Sequence, residues 1–234
     1  MKKSLYSAAV VTALSLTLLG CSAAETPEKP ENTTATEQQT EAPETEAPET
    51  PAAEEPAAAG DMPEWAEGSL AVGEKVGEIS LDSWKVELCQ VGTATTDKDS
   101  MFVDKESGEN LLPKGSEVVF VNFVFTNTSD APINLGASIG SPQLQSSTWK
   151  YLGGQPSFSD RDAYEALKIS DDAKQTGFDK PYVVAPGQSF AQATNIAYVP
   201  GDKVTAEVRL TPIDDEGDLL HDDKQEGETE ITIK

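Results

Sequence analysis

Between Glu117 and Thr128 the sequence EVVFVNFVFTNT is apolar in two alternating registers at once. On an extended strand Val119, Val121, Phe123 and Phe125 project to one side and Val118, Phe120 and Val124 to the other, with Asn122 the one polar interruption. β-Branched and aromatic residues favour a strand over a helix of this length, and a strand apolar on both sides belongs at the centre of a layered β domain. Asn127, Ser129, Asp130 and Pro132 close it in a tight corner. Weaker patterns flank it. Leu70 to Val76 reads as a short edge strand. Ile79 to Val91 reads as a longer one whose second half, Trp84-Lys85-Val86-Glu87-Leu88-Cys89, alternates and therefore buries one face. Gln143 to Leu152, Phe190 to Tyr198, Val204 to Leu210 and Thr229 to Ile233 supply further strands, with Met101 to Val103, Ala131 to Leu135 and Tyr182 to Val184 as shorter β pieces. Ala185-Pro186-Gly187-Gln188 and Val199-Pro200-Gly201-Asp202 set Pro then Gly at the centre of type II turns.

One stretch breaks the β pattern. Ser159 followed by Asp162 marks a helix start, and Ala163, Tyr164, Ala166 and Leu167 give it a short apolar side, which predicts one or two helical turns inside a long loop. Seven or eight short strands over roughly 170 residues predict an all-β, two-sheet sandwich carrying this helical insert.

The first quarter of the chain has a different character. Met1 to Lys3 is basic and Leu5 to Leu19 is an uncharged apolar run, the layout of an export signal over residues 1–20. That run falls short of the roughly 20 residues a membrane-crossing helix needs. It ends in Leu18-Leu19-Gly20-Cys21, which resembles the lipobox of bacterial lipoproteins. The resemblance implies that the Cys21 thiol receives a diacylglyceryl group, that cleavage follows Gly20, and that the new amino terminus accepts a further acyl chain. Two acyl chains hold a protein stably at a bilayer where one binds only reversibly. The expected location is therefore the extracytoplasmic face of the cell membrane, tethered by lipid.

Residues 21–62 read as a disordered linker. Glu, Pro, Thr and Ala recur in variants of EAPETEAPET, and the segment lacks the apolar surface that offsets chain entropy. As a flexible coil it spans roughly 35 to 40 Å and as an extended chain up to about 125 Å, enough to lift a domain occupying 63–234 off a membrane.

Charge narrows the partners. The net charge is −24, and both exported portions share it: one lysine against eleven acids over residues 22–62, and 14 bases against 30 acids beyond. Such a surface repels nucleic acid and anionic headgroups, so nucleic-acid binding is not expected. With Cys21 lipidated, Cys89 is the one cysteine left and no intrachain disulfide forms. Cys89 falls on the strand face opposite Trp84 and Val86, where a half-buried inert thiol is the expected state and intermolecular pairing or redox sensing the alternative.

Three sets of residues carry an overall resemblance. They are Gly73-Glu74 ahead of Trp84-x-Val86, the block Val119 to Asn127 followed by Ser129-Asp130-Ala131-Pro132-Ile133, and Pro186-Gly187-Gln188-Ser189 followed by Tyr198-Val199-Pro200. Together they resemble an uncharacterised immunoglobulin-like domain family of bacterial secreted lipoproteins, whose fold is also similar to a mycobacterial secreted immunoprotective antigen. The resemblance spans roughly Gly68 to Leu210 and implies an extracytoplasmic immunoglobulin-like sandwich with no assigned reaction. The insert at 155–180 and the acidic extension after Pro212 depart from it.

Candidate chemistry is sparse. Gly136-Ala137-Ser138-Ile139-Gly140 matches the G-x-S-x-G nucleophile elbow, with Asp171 and His221 following in hydrolase order. The elbow requires a strand, a strained turn and a helix, and Pro142 opposes helical geometry at Ser141. Acidic groups at Asp97 and Asp99, Asp160 and Asp162, Asp171 and Asp172, and Asp214-Asp215-Glu216-Gly217-Asp218 lack the register of a twelve-residue calcium loop and read as solvated surface. Neither metal nor cofactor is expected. The leading expectation is a non-enzymatic binding module for a protein or cell-envelope ligand. Phe158, Tyr164, Phe178 and Tyr182, in or beside the insert, are its candidate contacts, with packing of the insert onto the sandwich as their other role. The alternatives are an accessory or structural envelope protein without a specific ligand, and a Ser138 hydrolase.

Overall fold

A computed structural model of the protein describes residues 61–149 and 157–234. The export signal over 1–20, Cys21 and the linker as far as Gly60 lie outside the described residues, as do Tyr151 and Leu152. Nine strands and one helix follow in order: β1 (Glu74–Ser80), β2 (Trp84–Thr95), β3 (Glu117–Asn127), β4 (Ile133–Leu135), β5 (Gln143–Ser146), α1 (Arg161–Leu167), β6 (Tyr182–Val184), β7 (Ser189–Ala197), β8 (Lys203–Leu210) and β9 (Gln225–Thr232). They pair antiparallel in three sheets, with orders β1-β2-β3-β7, β4-β6 and β5-β8-β9. The chain adopts the all-β sandwich with a short helical insert. Among the described residues no helix is long and apolar enough to cross a membrane.

The doubly apolar stretch is the inner strand β3, held between β2 and β7. Its two registers separate as the alternation requires. Val119, Val121, Phe123 and Phe125 enter the main core with Trp84, Val86 and Leu88 of β2, Phe190 and Ile196 of β7, and the inward residues of β8 and β9. Phe125 stacks on Phe190 with ring centroids 4.8 Å apart, and Trp84 meets Phe190 edge-on at 5.9 Å. Val118 and Phe120 enter a second cluster on the opposite face, formed with Leu112 of the β2–β3 loop and Phe158, Tyr164 and Ile169 of the insert. Each large side chain buried this way contributes on the order of 1.5–3 kcal/mol.

Asn122 stands where this outer face is crossed by the segment preceding β1. Its amide nitrogen donates to the Ser69 carbonyl at 2.9 Å, so the one polar residue of the strand is satisfied by a strap of irregular backbone. The strap is tied to the insert by Glu67 N donating to the Ala173 carbonyl at 2.9 Å and Gln175 N donating to that of Trp65 at 2.9 Å.

Several boundaries differ from the pattern in the sequence. Ile79 to Val91 is not one strand but the end of β1 and most of β2. They are joined by a hairpin turn in which Leu81 N donates to the Trp84 carbonyl at 2.8 Å. No glycine or proline marks that turn. Leu70 to Val72 belongs to the strap, and Met101 to Val103 holds only an isolated bridge from Val103 to Asn110. β5 stops at Ser146 because the chain turns around the buried Asp202 carboxylate. That group accepts hydrogen bonds from the hydroxyls of Ser146 and, at 3.2 Å, Thr148. Both Pro-Gly turns form with the glycine at positive φ, 76° at Gly187 and 79° at Gly201, and each closes with an i to i+3 hydrogen bond of 3.0 Å.

Gly140 shows how closely the core is filled. Its φ is +69°, and a Cβ there would lie 2.8 Å from the Phe125 ring. Substituting Gly140→Val is expected to cost at least about 2 kcal/mol in a urea unfolding experiment, from ring overlap and left-handed strain together. Ser138→Ala, two residues away on an exposed bend, is expected to stay within about 0.5 kcal/mol of the parent.

Candidate functional site

The insert packs beside β7, the last strand of its sheet, and bonds to it. Ala193 N donates to the Ser170 carbonyl at 2.7 Å, and Asn195 grips Phe158 from both sides: Phe158 N donates to its amide oxygen at 2.8 Å and its amide nitrogen donates to the Phe158 carbonyl at 2.7 Å. The same amide nitrogen lies 3.1 Å from the Tyr164 hydroxyl. One backbone N–H of the sheet edge is thereby paired with the insert.

α1 begins as its sequence indicates, with the cap one residue later than Ser159. Asp160 is extended, and its carboxylate accepts from Ala163 N at 3.1 Å. The helix ends at Lys168 in the left-handed region, φ 58°, where its N–H reaches the Glu165 and Tyr164 carbonyls. Tyr164 is the helix's buried residue, and its ring meets Phe120 edge-on with centroids 5.0 Å apart. Burial pushes its hydroxyl pKa well above the usual tyrosine range, with the Asp171 charge adding to the shift.

Between α1 and residues 170–176 lies a polar cleft of about 460 Å³, lined by Lys98, Arg161, Glu165, Asp171 and Lys174 over Tyr164. Lys174 is paired with both oxygens of Asp172 at 2.9 and 3.0 Å, and the Lys98 ammonium sits 5.6 Å from the centre of the Phe158 ring. The cleft offers charges of both signs. The hydroxyl of Tyr164 points to Asn195, a structural bond.

The four aromatic candidates do not gather into one surface. Phe158 and Tyr164 lie buried in the outer cluster and Tyr182 in the main core, so their rings fasten the insert and β6 to the sandwich. Tyr182 also donates its hydroxyl to the Phe178 carbonyl at 3.2 Å, and Trp65 packs on it at 5.3 Å. Phe178 alone of the four keeps its ring substantially in solvent, 41 % exposed.

The G-x-S-x-G segment is the bend-rich connection from β4 to β5, followed by a strand and not by a helix. Its glycines answer to packing: Gly140 against Phe125, and Gly136, where a Cβ would lie 3.1 Å from Ile213. Ser138, Asp171 and His221 are all exposed, and no hydrogen bond joins their side chains among the described residues. Of the acidic groups, Asp214, Glu216 and Asp218 bring carboxylate oxygens within 4.8 Å of one another. They do so because the Asp214 carboxylate organises its own turn, accepting from Glu216 N at 3.0 Å and Asp218 N at 2.9 Å.

Cys89 is buried beyond the half-exposed state expected of it. Burial pushes its thiol pKa upward, and the Glu87 charge pushes the same way, which keeps the group protonated and unreactive. Beside it Lys75 bridges Glu78 and Glu87, each at 2.9 Å, with Lys85 3.1 Å from Glu87. The hydrogen bond from Lys75 holds the Glu78 carboxyl below its usual range, and the two carboxylates push the Lys75 ammonium above its own.

Compared with known proteins, the chain matches no protein-family model and no curated sequence. Among solved structures it is similar to a functionally unknown protein from Listeria monocytogenes EGD-e. The identity is 12 %, the alignment covers 75 % of this chain and 89 % of the other, and the TM-score is 0.32.

Two outcomes follow from the geometry. Asn195→Ala removes the partner of a buried N–H, a buried carbonyl and the Tyr164 hydroxyl, and is expected to cost about 3 kcal/mol in chemical unfolding, against no more than about 0.5 for Phe178→Ser. Glu78 favours its charged form when folded, so its contribution is present above its unfolded pKa of about 4.3 and is lost as pH falls through the lower folded value. Lys75→Met is therefore expected to flatten the acid side of a stability-against-pH curve measured by thermal unfolding.

Proposed function

We propose that the protein is a lipid-anchored module of the extracytoplasmic membrane face, which holds a β-sandwich on an acidic stalk to bind a protein or cell-envelope ligand without catalysis. The observation that carries this reading is the run Leu5 to Leu19 ending in Leu18-Leu19-Gly20-Cys21, with some forty residues of Glu/Pro/Thr/Ala-rich chain before the first strand. A tether and a spacer serve a domain whose task is reaching something. The mixed-charge cleft beside α1 and the exposed Phe178 are surfaces from which it can do so.

A second reading, a structural envelope protein with no specific ligand, draws on the inward packing of Phe158, Tyr164 and Tyr182. In-cell crosslinking separates the two. A discrete adduct of the anchored chain that disappears in Lys98→Glu/Arg161→Glu supports the binding module, and a pattern unchanged by that pair favours the structural role.

The anchor has its own test. Growth on radiolabelled palmitate is expected to label the chain, and Cys21→Ser is expected to abolish the label and release the protein from the membrane fraction. An unlabelled parent chain would overturn the anchored reading.

A further inference from the structure

The acidic extension after Pro212 is built into the fold. Leu135 and Pro212 form a bridge, Ile213 N donates to the Asn134 carbonyl at 2.9 Å, and Ile213 and Leu219 bridge in turn. Leu220 N then donates to the Pro212 carbonyl at 2.9 Å, and His221–Asp223 forms a single 3-10 turn. The β4-β6 sheet is thus widened by two short extended pieces, with the turn at Asp214–Asp218 between them.

This construction holds two leucines in the open. Leu219 is 50 % and Leu220 37 % exposed, although backbone bonds fix their positions on either side. Leu220 lines a groove of about 460 Å³ together with Pro132, Ile133 and Pro212. Asp82, Asp222, Asp223 and Lys224 line the same groove. Apolar side chains set among charged ones suit a partner that carries both kinds of group.

Charge selects the occupant. Asp214, Asp215, Glu216, Asp218, Asp222 and Asp223 put six carboxylates into ten residues, Asp222 and Asp223 line the groove itself, and none of the six is in an ion pair among the described residues. The adjacent Lys224 is already committed to Glu226 at 3.0 Å. A second copy of this chain, at net charge −24, would set acid against acid, and an anionic lipid surface or a nucleic acid would do the same. A small cation would answer the carboxylates and leave the leucines in water. Aliphatic side chains flanked by lysine or arginine answer both at once.

We propose that this groove docks a basic, aliphatic peptide segment of a partner protein, its apolar side chains on Leu220, Pro132 and Pro212 and its cations on Asp82, Asp222 and Asp223. The proposal names the partner class for the binding module inferred above and so rests on that reading. It stands apart from the anchor, since peptide binding is measured whatever the fate of Cys21.

The test uses the full chain purified in a mild non-ionic detergent, with protein-free detergent buffer as the blank, and a fluorescent peptide of sequence Lys-Lys-Leu-Leu-Lys-Lys followed by anisotropy. Saturable binding is expected, weakening as salt rises. The peptide Lys-Lys-Ser-Ser-Lys-Lys is expected to bind roughly tenfold more weakly, and Leu219→Ser/Leu220→Ser to lose roughly tenfold with the parent peptide. Asp222→Asn/Asp223→Asn is expected to weaken binding roughly fivefold and to reduce its salt dependence. Glu228→Gln/Glu230→Gln, on the exposed face of β9, is expected to leave binding unchanged. Absence of saturable binding, equal affinity for the serine peptide, or an equal loss from the β9 pair would overturn the proposal. So would self-association of the chain through the two leucines without peptide.

Discussion

The structure depends on a strand that has to be covered twice. β3 is apolar on both faces, so a two-layer sandwich satisfies only half of it, and the other half requires a second apolar cover from chain outside the sheets. The β2–β3 loop, the strap before β1 and the helical insert supply that cover, and their polar bonds to the sheet fall where the apolar pattern is interrupted. Asn122 on β3 takes the strap and Asn195 on β7 takes the insert. These asparagines set position while Phe120, Phe158 and Tyr164 provide the burial, a division in which apolar contact gives stability and buried polar bonds give register.

The same insert also guards an edge. β7 is the last strand of its sheet, and on this edge its Ala193 N donates to the Ser170 carbonyl of the insert and its Ser189 N to the Asp61 carbonyl of the strap. At the opposite margin β1 and β9 approach without pairing. Gly77 and Gly227 permit this, because a Cβ on either would lie 2.7 Å from a neighbouring aliphatic side chain. Gln90 and Gln225 fasten the ends of that approach, bonding to the backbone of Lys234 and Ser83 at 2.9 and 3.0 Å.

Much of this was legible in the sequence because the signals were periodic or sterically compulsory. The two registers of β3, the alternation of β8 and the Pro-Gly turns are local patterns with one physical solution. The hairpin at Leu81-Asp82-Ser83 was hidden because it uses no glycine or proline, and the early end of β5 was hidden because its cause, Asp202, lies more than fifty residues away in the chain. The candidate contacts were the least legible part. An aromatic in an irregular segment reads the same whether it anchors the segment or greets a partner. Burial then puts Phe158, Tyr164 and Tyr182 inside and leaves Phe178 at the surface. The groove at Leu220 had no local signature, since it arises where β4 meets a segment some eighty residues further on.

For a chain tethered through Cys21 as proposed, the strap has a mechanical meaning. Tension entering at Asp61 would meet the bond from Ser189 N to the Asp61 carbonyl, then those at Trp65 and Glu67, and then the amide of Asn122. Force would thus be divided between the insert and strands β7 and β3 of the larger sheet before it reached β1, while β8 and β9 carried none of it. A pull strong enough to peel the strap would first strip the Asn122 amide of its partner, leaving the pairing of β8 with β9 untouched.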